Sequence, residues 1–175
     1  HSLKRQGRNL LLASLLGAGV LVGSHSKADS VLSHGMGQNC PAAAIEPTAT
    51  AVTPVTKANY AAAETEVILA DYVRKIAKGT CSDGMGVFLH QHAAMDPAER
   101  SILRPNFDTL YSFAVLDLEQ PATVVLPDTD RYQILEVVDD EHWIPLISDK
   151  PGRYTLTKEA MGSRYVFAFV RTQVN

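Results

Sequence analysis

Between positions 104 and 112 the chain gathers Arg104, Asn106, Asp108 and Tyr111, just ahead of the apolar run 113–118. These supply a fixed cation, a carboxamide, a carboxylate and a phenol, and convergent polar groups beside a strand are how binding sites are built. Arg104 could clamp a carboxylate or phosphate with its planar fork, Asn106 could bind the same ligand, and Asp108 and Tyr111 could act as base and acid. The plainer account pairs Arg104 with Asp108 and uses Asn106 and Thr109 on turn backbone. The set names no reaction.

Three histidines offer different chemistry. His90 and His92 lie two apart, on one face if they sit on a strand, and His142 could be a third ligand. With a carboxylate from Asp139, Asp140 or Glu141 they would suit a divalent metal such as zinc or copper. The chain lacks the helix-spaced histidine pair with an intervening glutamate, so hydrogen-bonded surface histidines are the alternative. His142 is also a candidate base. The acids 139–141 could push one carboxyl upward, or simply form a solvated turn. Arg131, Arg164 and Arg171 flank strands beside Tyr132 and Tyr165; Arg164 is a candidate ligand-binding residue, with cross-strand pairing to acids as the simpler account. Ser112 follows no nucleophile-elbow pattern, and Gly84-Met85-Gly86 lacks the lysine of a phosphate loop, which argues against both chemistries.

Elements must position these groups. Ile68, Leu69, Tyr72, Val73 and Ile76 recur at helical spacing, predicting a helix from an Asn59 cap through Lys78, stopped by Gly79. Asp96-Pro97-Ala98-Glu99 reads as a short helix start. From there strands are expected at 112–118, 123–126, 131–138, 144–147, 153–156 and 165–172, punctuated by Pro, Asp and Gly turns, with one helical turn at 157–161 closed by Gly162. Strand 165–172 is apolar on both alternating sets, which suits a sandwich interior or a sheet with a helix packed over it.

The N-terminus reads as a signal peptide over residues 1–28. Lys4, Arg5 and Arg8 precede an uncharged run at 10–23, too short and too glycine-rich for a membrane anchor, and Ser26-Lys27-Ala28 offers a cut. The start at His1 suggests that an initiating residue precedes it. Residues 29–57 read as a flexible linker, and 58–175 as one β-rich domain that breaks off as its most hydrophobic strand finishes, which suggests truncation. The 175-residue chain carries 16 basic and 19 acidic residues; without residues 1–28, 12 basic face 19 acidic, a charge of −7. That acidity argues against nucleic acid or an anionic membrane as partner. In an exported, periplasmic or secreted protein the single available intramolecular pairing is Cys40 with Cys81; the alternative is two unpaired thiols.

The order of motifs carries a resemblance. Asn59-Tyr60 and Ala63-Glu64-Thr65-Glu66 are followed by Phe88-Leu89-His90, the segment 104–112, Asp130-Arg131-Tyr132-Gln133, Asp140-Glu141-His142-Trp143, the segment 152–157 and Gly162-Ser163-Arg164-Tyr165. Over residues 58–175 this series resembles the domain of unknown function 1254 family. The resemblance implies a mainly β, α+β domain, an antiparallel jelly-roll-like sandwich with an N-terminal helix, from bacterial proteins that often continue into a second domain of the 1214 family. Phe107 stands where that family usually has a basic residue. The expected function is a ligand-binding or assembly module, partnered by a small anionic ligand, by the missing C-terminal domain or by further copies of itself. The alternative is a hydrolase- or lyase-type enzyme acting on a small anionic substrate, with or without a metal.

Overall fold

The computed structural model describes residues 40–45, 53–98 and 106–174. Within them α1 (Tyr60–Thr80) is followed by β1 (Leu89–His90), β2 (Thr109–Asp117), β3 (Ala122–Leu126), β4 (Gln133–Val138), β5 (Leu146–Ser148), β6 (Gly152–Leu156), the single turn α2 (Lys158–Met161) and β7 (Tyr165–Gln173). Five strands form one antiparallel sheet in the order β1-β2-β7-β4-β5, and β3 pairs with β6 in a separate antiparallel ribbon. The domain is thus mainly β with one long helix, an α+β arrangement.

Alternation along β2 and β7 decides the layers. Ala114, Leu116, Val166, Ala168 and Val170 point to one side, where they bury against Val124, Leu126 and Leu156 of the ribbon and Met161 of α2. Phe113, Val115, Tyr165, Phe167 and Phe169 point to the other and meet Leu69, Val73 and Ile76 of α1. Both faces are covered because both sets are apolar. Tyr72 adds an edge-on contact to Phe113, with ring centroids 5.0 Å apart.

Strand bounds move by up to three residues from their sequence expectation. β2 begins at Thr109 because β7 continues pairing to Gln173, opposite it. Asn59 precedes α1 without capping it: its Oδ1 turns back to accept the Thr56 N–H at 2.7 Å. The helix also passes through Gly79. A Cβ there would meet Leu89 Cδ1 at 2.7 Å, so this glycine admits β1 against the helix instead of ending it. Cys81 ends it, in left-handed backbone at φ 51°, and is disulfide-bonded to Cys40. Gly84, at φ 86°, lies so close beneath α1 that a side chain would strike the Val73 carbonyl. At 157–162 the expectation matches: Thr157 Oγ1 accepts the Ala160 N–H and Gly162 closes the turn at φ 74°. Asp96 Oδ1 accepts the Ala98 N–H at 2.8 Å; the helix expected onward from Glu99 lies outside the described residues. Among the described residues no helix is long and apolar enough to cross a membrane.

Part of the expected linker lies on the body. Ala43 and Ile45 pack against the helix-side cluster, and the Ala44 N–H donates to Asp83 O at 2.7 Å.

Candidate functional site

At the mouth of β2 the polar residues divide. Asp108 is absorbed locally: its carboxylate accepts from Thr109 Oγ1 at 3.0 Å, and its carbonyl accepts the Val174 N–H at 2.8 Å. Asn106 instead donates through Nδ2 to the Tyr111 hydroxyl at 3.2 Å. Gln91 holds Tyr111 in line, its N–H donating to Tyr111 O while its Oε1 accepts the Tyr111 N–H. Arg104 lies outside the described residues.

Antiparallel register then sets Tyr111 opposite Arg171, on the face turned toward α1. The Arg171 guanidinium lies over the Phe169 ring, 5.6 Å from its centroid. It meets Glu136 Oε2 at 3.5 Å, the outer limit of a hydrogen bond, and its Nε is buried with no acceptor. From α1, Lys75 Nζ comes within 5.2 Å of the Phe113 centroid and 5.7 Å of the Tyr72 centroid. Among the described residues no carboxylate pairs with Lys75. Burial first, and then the neighbouring Tyr111, raise the Tyr72 phenol above its ordinary pKa, keeping it a neutral donor. Arg171 with Glu136, Tyr111 with Asn106, and Lys75 and Tyr72 from α1 thus lie along one aromatic row, Phe113, Phe167 and Phe169. Such a set can accept an anion.

His142 stands at the other end of the sheet. Its loop leaves β4 at Val138, which pairs with Phe167, whereas Tyr111 pairs with Arg171. Those positions on β7 are four residues, or roughly 13 Å, apart. Asp139 Oδ1 accepts the Glu141 and Trp143 N–H groups, and this turn holds His142 at φ 70°. His142 Nδ1 lies 3.0 Å from the buried Thr65 hydroxyl, whose single proton goes to Ala61 O.

The other histidines are apart from it. His90 Nδ1 meets Ser112 Oγ at 2.8 Å, and His92 is exposed beyond β1. Among the described residues no three His, Cys, Asp or Glu side chains gather to hold a metal. Arg164 is engaged by carboxylates: Nε and Nη2 each donate to Asp117 at 2.8 Å, and Nη1 lies 3.1 Å from Glu119. These bonds hold the Asp117 carboxyl below the usual carboxylate range, against an opposing push from burial.

Of the candidates read from sequence, the structure brings Asn106 and Tyr111 together, pairs His90 with Ser112 on the neighbouring strand, and places His142 and Arg164 at the other end of the sheet. Tyr72, Lys75 and Glu136 had no local signal as site residues; Arg171 had only its place near a strand end.

The model of a family described as protein of unknown function (DUF1254) matches residues 85–175. No curated protein and no solved structure matches the chain.

Proposed function

Because this chain belongs to the DUF1254 family, whose description names no reaction, we propose from geometry that it is a non-catalytic module binding a small anionic ligand. The observation carrying this reading is Arg171, stacked on Phe169 beside Tyr111 with only a 3.5 Å contact to Glu136. A guanidinium so weakly met by its own protein has donors left for a carboxylate or phosphate. Lys75 adds a second cation, and Asn106 orients the Tyr111 hydroxyl. The enzyme alternative takes Asp108 or His142 as base; Asp108 is bound to its own turn, and His142 lies in the loop after β4, at the other end of the sheet from Tyr111.

A jelly-roll-like fold and export belong to the same proposal. Two antiparallel sheets sharing one apolar core support the first, and a disulfide supports the second.

The test is a thermal-shift and calorimetric screen of the protein against inorganic phosphate and small mono- and dicarboxylates. One of these should raise the melt of the native protein, by up to about 2.7 kcal/mol at a hundredfold excess over Kd. Arg171→Ala and Lys75→Ala should each lose that rise while melting cooperatively. A rise kept in both variants would remove the site, and no rise with any anion would remove the reading.

An assembly role is the second reading, supported by the edge strand β5. Trp143, Ile144 and Ile147 are 70%, 52% and 55% exposed there, in one short segment. A domain of the 1214 family or a second copy would cover them; concentration-dependent sedimentation distinguishes self-association from a monomer.

A further inference from the structure

We propose that residues 40–45 form a strap over a cleft between α1 and the sheet, tied down by the Cys40–Cys81 disulfide and released when that bond is reduced. Ile45 from the strap forms one wall of the cleft, with Glu66, Leu69, Val115, Asp140 and Tyr165 as the others. Closed in this way the cleft measures about 20 Å³, room for about one water. The surface beneath the strap is apolar on its floor and carries carboxylates at its rim.

Ala43 and Ile45 are half-buried against the helix-side cluster, Pro41, Ala42 and Ala44 are exposed, and the Ala44 N–H donates to Asp83 O at 2.7 Å. Ordering six residues costs conformational entropy. The covalent tie offsets part of that cost by holding the first of them to the end of α1.

The bond is open to exchange. Cys81 is exposed at the end of α1, whereas Cys40 is half-buried. The thiolate of a dithiol reductant attacks Cys81 Sγ and expels the Cys40 thiolate, leaving a mixed disulfide. The second thiol of the reductant then displaces Cys81, so the cysteine pair gains two electrons and two protons and the reductant leaves as its own disulfide. The negative end of α1 disfavours a thiolate on Cys81, which makes Cys40 the better leaving group.

Hydrogen exchange read by mass spectrometry, with and without dithiothreitol, tests the strap. On reduction the amides of residues 42–45 should exchange faster by roughly tenfold or more, while those of 69–76 in α1 keep their protection. Unchanged exchange at 42–45 would show that packing alone holds the segment, and loss of protection throughout would show a staple of the whole domain; either overturns the proposal. Cys81→Ser should reproduce the reduced pattern without reductant. Ile45→Ala, with the bond intact, should bind more of an apolar fluorescent dye and leave exchange at 42–45 unchanged. Dye binding equal to that of the native protein would mean that Ile45 covers nothing.

Discussion

The two ends of β7 each bring a tyrosine and an arginine together, yet the two arginines are held differently. At one end Tyr165 pairs with Asp117, and the adjacent Arg164 is gripped by two 2.8 Å hydrogen bonds from its fork to Asp117, with Glu119 at 3.1 Å. At the other end Tyr111 pairs with Arg171, whose nearest carboxylate contact, Glu136, is at 3.5 Å and whose Nε has no acceptor. A guanidinium satisfied by its own protein is scaffold, because a ligand would have to displace a bidentate partner. One that lies over a ring and is weakly paired keeps donors that a ligand could engage. Residue type alone does not separate these cases; the partner's geometry does.

The comparison rests on a common floor, so its most damaging test is to remove that floor. Phe113, on β2, is buried beneath α1, and Phe113→Ala should cost about 3–5 kcal/mol in urea unfolding. Both ends should loosen together, since Tyr72 and Lys75 lean on that ring. A loss confined to one end would mean that the two regions do not share a support.

The next effect should separate the ends. Arg171→Ala should abolish anion-induced stabilisation of up to about 2.7 kcal/mol at a hundredfold excess over Kd, and Arg164→Ala should leave it in place. If Arg164→Ala removes the response and Arg171→Ala does not, the assignment of scaffold and site is reversed.

Acid provides a smaller effect at the scaffold end. The folded-state pKa of Asp117 is depressed, chiefly by the Arg164 hydrogen bonds, so the pair stabilises the fold above the unfolded carboxylate pKa of about 4 and loses that contribution as pH falls through the lower folded value. Native protein should therefore be more stable than Asp117→Asn near neutrality, and the difference should shrink as pH falls below about 4 and vanish below the depressed folded value. A pH-independent difference would mean that the charge of Asp117 is not what holds Arg164.

The smallest effect sharpens the site end. Tyr72 should ionise above the ordinary phenol range, because burial and Tyr111 both oppose its charge. Tyr111→Phe should bring that titration part of the way down, followed by phenolate absorbance. No movement would place Tyr111 too far from Tyr72 to share a ligand with it.

Much of this architecture is readable along the chain. The three- and four-residue recurrence from Leu69 to Ile76 is that of α1, and the doubly apolar β7 requires cover on both faces. Thr157 and Gly162 bracket α2 by side-chain chemistry that any Thr and Gly carry. Gly79 misleads because a glycine near a helix end resembles a stop, while its use here is clearance for Leu89. β1 has two residues, too few to show a period. At the candidate site, Asn106 and Tyr111 were visible because they lie five positions apart on one strand entrance, whereas joining His142 to them needed a distance that sequence does not contain.

Sequence by itself determined what depends on local periodicity and on residue type: the helix, the order of the strands, the two-sided burial of β7, and a cysteine pair able to form one bond. Tertiary structure alone decided which cation meets which carboxylate. Positions 111, 136 and 171 become neighbours only through strand register, α1 sets position 75 over Phe113, and whether an arginine is spent on its own fold or left for a ligand turns on ångström differences in that meeting.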